Sequence, residues 1–158
     1  MAARGTEVII TGNPRGVFLE GTIVGTPLPG TIMEMAVPFA NNGQHSYQQY
    51  QPGTDGQRRK IIILLTDSMQ GKGLSDAYVS GSFGFMYVPV AGEEFNMLLQ
   101  DVAGTGDVHP ALETLIVKSG TGKLIATTGT PQSEPFRLLQ AQAALTADTL
   151  APVTYTGY

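Results

Sequence analysis

Glycine and proline constrain this chain more than any other feature. Twenty glycines and ten prolines punctuate its 158 residues every few positions. That spacing favours short strands joined by turns over long helices. Glu7–Thr11 reads as a strand, broken at Gly12-Asn13-Pro14, and Val17–Val24 as a second, with Gly21 predicting a bulge or bend. After a turn at Thr26–Gly30, Thr31–Val37 alternates Ile32, Glu34 and Ala36 against Met33, Met35 and Val37. Pro38–Lys60 lacks aliphatic residues over most of its length and reads as one long polar excursion, the kind of loop that in a compact domain carries function. Ile61–Leu65 is the most hydrophobic run and predicts a buried central strand.

In the second half, Phe83–Val90 predicts a strand turning at Ala91-Gly92, with Glu93–Leu99 returning as its hairpin partner. Leu112–Val117 and Lys123–Thr128 predict another hairpin, closed at Ser119–Gly122. Phe136–Leu145 is compatible with helix, but Leu139, Ala141, Ala143 and Leu145 alternate, which favours a strand paired with Pro152–Thr156. The expected fold is all-β: a compact, single-domain, β-barrel-like body of the β-tulip type, with long polar loops and an extended N-terminal arm. Residues 1–11 form the arm and first strand, and 12–158 the β domain with its excursion at 38–60. No exact internal repeat is visible.

Composition narrows function. Charged residues are only 14% of the chain, against roughly 25% in typical soluble domains, which suits a surface covered by partners. The net charge of −4 argues against a nucleic-acid partner bound through phosphates. The basic run Arg58-Arg59-Lys60 is a solvated loop end or a contact for an acidic partner. With no cysteine, disulfides and thiolate zinc sites are excluded. Val8–Ile10 is too short for a signal-peptide core or membrane span, so synthesis in a cytoplasm-like compartment is expected.

Catalytic motifs fail on inspection. Val117–Leu124 approaches a phosphate-binding loop but lacks its first glycine and its final Ser or Thr, and reads as a hairpin turn. His45 and His109 are the only histidines; His109 reads as a surface turn before Pro110, with Asp107 two residues away as a weak metal partner. Glu93-Glu94 reads as a solvated strand end, because adjacent strand residues face opposite ways. No catalytic residue, cofactor or metal is expected.

A series of short motifs is more informative: Gly71-Lys72-Gly73, Asp76-Ala77-Tyr78, Gly81, Tyr87-Val88-Pro89-Val90, Gly92-Glu93-Glu94-Phe95-Asn96 and the Gly106-Asp107 turn. In that order they resemble the head decoration (cement) proteins of tailed phages, with Gly30–Met35 similar to a strand near the family's start. The resemblance covers the second half well and the first half loosely; the excursion at 38–60 and the insertion around His109-Pro110 depart from it. It implies a homotrimer on the outer capsid surface of the virion, at three-fold or quasi-three-fold positions, bridging neighbouring copies of the major capsid protein. The competing reading is another virion or tail adaptor, or a receptor- or glycan-binding β-domain using Tyr47, Tyr50 and Asn42.

Two partner surfaces are expected. The arm, with Thr6, Glu7, Val8 and Ile9, would add a strand to a capsid or sibling subunit. The excursion around Tyr47 and Tyr50, with Arg58 and Arg59 beyond, would form a wet, adaptable interface.

Overall fold

A computed structural model describes residues 7–10, 12–36, 45–51, 53, 60–100, 108–126, 136–143, 145 and 147–157. Among these, ten strands carry nearly all the regular structure: β1 (Val17–Ile23), β2 (Ile32–Met35), β3 (Ser46–Gln49), β4 (Ile62–Leu64), β5 (Phe83–Val88), β6 (Glu94–Leu99), β7 (Thr114–Val117), β8 (Leu124–Ala126), β9 (Phe136–Leu138) and β10 (Thr149–Tyr155). One 3₁₀ turn, Ser68–Gln70, is capped by the Asp67 side chain. The chain is all-β, as the glycine and proline spacing predicts.

The strands close into two five-stranded barrels, β1-β3-β2-β4-β5 and β6-β8-β7-β9-β10. Numbered within each half, the two rings have the same order. The one parallel contact is between the first and third strands in both, β1 with β3 and β6 with β8. All other neighbours are antiparallel. The registers also match. Leu19 pairs with Met86 as Phe95 pairs with Val153. Met33 pairs with Ile62 as Leu115 pairs with Phe136, and Ile23 with Tyr47 as Leu99 with Leu124. The protein is therefore an internal structural duplication. Among the strand residues matched in this way, only Leu64 and Leu138 are identical.

Each barrel is filled by alternate side chains, as a small barrel must be. Barrel one encloses Ile23, Met33, Tyr47, Ile62, Leu64, Tyr78 and Met86. Gly21 and Gly84 stand opposite each other in its wall. A Cβ on Gly21 would lie 2.5 Å from the His45 carbonyl oxygen and 2.6 Å from the Tyr47 ring. The glycine expected to mark a bulge thus sits in regular register, and gives room to a buried tyrosine.

Barrel two is filled by Phe95, Met97, Leu99, Leu115, Val117, Leu124, Phe136, Leu138, Ala151 and Val153. The same apolar cluster continues through Ile32, Tyr50, Ile63, Leu65 and Tyr87 on the outer face of barrel one. Main-chain bonds cross the same junction: Leu98 N–H donates to Gly30 O, Ile32 N–H to Gly122 O and Gly120 N–H to Tyr50 O. Gly122 has φ of 64°, and a Cβ there would lie 2.1 Å from Ile32 O. The position needs glycine both for its conformation and for the close approach.

Several expected elements change. The polar excursion contains β3, which closes barrel one between β1 and β2. Its anchors are Tyr47, which fills barrel one as an aliphatic would, and Tyr50, which packs into the core between the barrels. β5 and β6 do not form a hairpin; β5 pairs with β1 and β4, and β6 with β10 and β8. The link holding Pro89 and Gly92 instead carries the chain from one barrel to the other. The β7–β8 hairpin and the β9–β10 pairing form as predicted, though β9 is only three residues long.

Candidate functional site

Three places gather chemistry-bearing groups, beginning at the junction between the barrels. Glu93, expected on a solvated strand end, is completely buried. Its Oε1 accepts from Arg15 N–H at 2.5 Å and from the Tyr87 hydroxyl at 2.7 Å, and its Oε2 from Val90 N–H at 2.8 Å. Gly16 N–H donates in turn to the Tyr87 hydroxyl oxygen. Arg15 also donates through Nη2 to Ala91 O at 3.2 Å. Burial pushes the Glu93 carboxyl up, but these donors outweigh it and hold the group below its ordinary range. Burial likewise raises Tyr87, with the Glu93 carboxylate adding to the shift. The cluster ties the segment before β1 to the link between β5 and β6. Every acceptor faces a donor of its own chain, so it fastens the structure rather than presenting a reactive group.

The second place is His109, expected on a surface turn and found buried at 3% exposure. It pairs by main chain with Gln142, and its Nδ1 lies 2.7 Å from Glu113 Oε2. Its Nε2 is enclosed without a hydrogen-bond partner. An imidazole whose second nitrogen is sealed off cannot take a proton from a substrate, so the pair is not arranged as a catalytic dyad. Asp107 lies outside the described residues.

The third place is the outer face of β1. Phe18 is 57% exposed and Met69 83%. With Ile9, Pro14, Leu65 and Phe85 they line an open, mainly apolar pocket of about 420 Å³, whose polar rim includes Glu7 and Thr66. Phe18 packs edge-on against Tyr87 at 4.9 Å between ring centroids. Thr66 Oγ1 donates to Glu7 Oε2 and fixes the rim. An open apolar concavity of this kind marks a contact surface.

The residues expected to meet partners distribute unevenly. Val8 is buried, and Ile9 bridges Phe95 of the chain's own β6. Asn96 Nδ2 donates to Glu7 O at 2.7 Å. The main chain of Glu7–Ile9 is therefore already engaged within the molecule. Tyr47 and Tyr50, expected at a wet interface, are 2% and 0% exposed; their rings fill the two cores and offer no surface. Thr6, Arg58 and Arg59 lie outside the described residues. Sequence reasoning missed Phe18, Met69 and Phe85 as surface groups. Phe18 did carry a signal, since on β1 it alternates with Leu19 and must face away from the barrel interior.

Comparison with protein families finds no match, and comparison with curated proteins finds none either. Among solved structures, the fold is similar to the head fiber gp8.5 N base of bacteriophage phi29. The TM-score is 0.54 at 6% identity, over 90% of this chain and 95% of that one. A likeness at that identity establishes a shared fold.

Proposed function

We propose that this chain is a capsid decoration protein, a homotrimer on the outside of a phage head at three-fold or quasi-three-fold positions. There it clamps neighbouring major capsid proteins and catalyses no reaction. The observation that carries the reading is the end-to-end likeness to a phage head fiber base, which agrees with the decoration-protein motifs between Gly71 and Asn96.

The physical character of the molecule supports the same role. Two closed barrels fused by a common core make a stiff body. Its titratable clusters are internal fastenings, and its exposed chemistry is the apolar pocket beside Phe18. A shell clamp needs area at subunit boundaries, and many copies let modest interfaces hold together. The glycan-binding alternative called on Tyr47 and Tyr50 as exposed rings, and both are buried.

The test is to mix purified protein with undecorated heads and sediment them, after weighing the free protein by light scattering. Co-sedimentation at three-fold positions by electron microscopy is expected, together with a mass near three times 16.7 kDa in solution or on the shell. Heads that pellet without the protein would overturn the reading.

A further inference from the structure

The outer face of barrel one holds a carboxylate that the chain itself does not use. On that side of β1 and β5, Phe18 stands opposite Tyr87, Glu20 opposite Phe85 and Thr22 opposite Phe83. Directly opposite residues share a face, with Cβ atoms about 4.5–5.5 Å apart. Glu20 therefore sits among rings, with Phe85 across from it, Phe83 on the diagonal and Phe18 two positions before it. Phe83 and Phe85 meet edge to face at 6.3 Å between ring centroids. Phe18, Glu20 and Phe83 are exposed, and Phe85 is half-buried.

Other carboxylates are engaged. Glu7 accepts from Thr66, Glu34 from Gln48, Asp67 from Gln70 N–H and Asp76 from Gly73 N–H. Glu113 meets His109, and Asp148 meets Lys123. No hydrogen bond or ion pair of a described residue reaches the Glu20 carboxylate. The duplication supplies the contrast. The position matched to Glu20 is Asn96, which is completely buried and donates through Nδ2 to Glu7 O. Those matched to Phe18 and Phe85 are Glu94 and Pro152, so no ring stands there in barrel two.

Phe18 and Phe85 are also walls of the pocket that Ile9, Pro14, Leu65 and Met69 help to complete. Its volume of about 420 Å³ falls within the roughly 300–1,000 Å³ over which proteins enclose a bound group. A free anion bordered by rings, beside an apolar pocket, is complementary to a cation next to an aliphatic group. Arginine fits such a place best, because its guanidinium pairs with a carboxylate through two hydrogen bonds and lies on aromatic faces.

We infer that the outer face of β1 and β5 is the docking surface for a loop of the shell protein. The loop brings an arginine to Glu20 and seats an aliphatic side chain in the adjoining pocket. The choice of a shell protein rests on the capsid-binding reading above, and the chemistry of the loop on Glu20 and its rings. The net charge of −4 adds a general attraction towards a basic surface.

The experiment is sedimentation of undecorated heads with the protein and its variants over a range of salt. Glu20→Gln and Met69→Asp should each weaken head binding by roughly tenfold, and Glu20→Lys by more. Asp148→Asn changes the net charge as much as Glu20→Gln does but lies beside barrel two, and it should bind as the unaltered protein does. Added salt should weaken the unaltered protein more than Glu20→Gln. Thermal unfolding of the Glu20 and Met69 variants should be unchanged, since neither side chain supports the core. Glu20→Lys at full affinity would overturn the docking surface and leave the decoration reading standing. A solution mass that falls with Glu20→Lys, read by light scattering, would give this face to a second copy and overturn the shell loop. Failure of the unaltered protein to bind heads would overturn both readings.

Discussion

The two barrels reach one topology with different materials. In barrel two the wall is continuous, with Met97 opposite Ala151, and the filling is aliphatic with Phe95 and Phe136. In barrel one the matching wall positions are Gly21 and Gly84, and tyrosines 47 and 78 occupy the space those glycines leave. Barrel interiors are thus conserved in volume rather than identity: where the fillers grow, the wall thins. The edges contrast just as clearly. The arm pairs with β6 at Glu94 and Asn96, whereas among the described residues nothing bonds to the matched Phe18 and Glu20 on the β3 side of β1.

The largest expected effect is at Glu93, whose counterpart in barrel one is the exposed Val17. Glu93→Ala would leave the Arg15 and Val90 N–H groups and the Tyr87 hydroxyl unpaired in the interior. It should cost about 3–5 kcal/mol in urea unfolding, whereas Val17→Ala should change stability by less than about 0.5 kcal/mol. Equal costs would break the contrast. pH sharpens it. The folded Glu93 carboxyl titrates below its ordinary value of 4.5. Its stabilising contribution is therefore complete above that pH and is lost as pH falls through the folded value. Glu93→Gln should remove that part of the acid dependence.

Next in size is the wall. Gly21→Ala drives a methyl into the His45 carbonyl and the Tyr47 ring, and should cost about 2–3 kcal/mol. The matching truncation in barrel two, Met97→Ala, should cost about 2–5 kcal/mol in the opposite sense, by opening a cavity. A neutral Gly21→Ala, measured by thermal unfolding, would show that barrel one is not filled as tightly as its distances imply.

The smallest effect tests the arm. Val8→Ala removes two buried methyl groups and should cost about 1–2 kcal/mol. Exchange at Asn96 N–H should quicken while that at Glu20 stays as it was. Acceleration at both would mean that the edges are not independent.

Much of the local structure was legible in the residues. The β7–β8 hairpin follows from two aliphatic runs around Ser119-Gly120-Thr121-Gly122, and β4 from its isoleucines. β3 was hidden because Ser46-Tyr47-Gln48-Gln49 reads as polar, and only the company of β1 and β2 makes Tyr47 a core residue. Glu93 was hidden for a related reason. A carboxylate beside another carboxylate looks solvated, and one of the three donors that hold it, Arg15 N–H, lies 78 positions away. Of the surface features, the alternation at Phe18 was visible and the pocket it lines was not.

The sequence by itself determined that this chain makes short strands, no thiol chemistry and a surface poor in charge, since turn residues and composition act locally. Tertiary structure alone decided that the strands close twice in the same ring, that β5 and β6 part into different barrels, and that the arm pairs with β6. Register and closure depend on pairings between distant residues. Two segments with one identical strand residue between them can satisfy those pairings equally well, because a barrel selects volume and alternation rather than particular side chains.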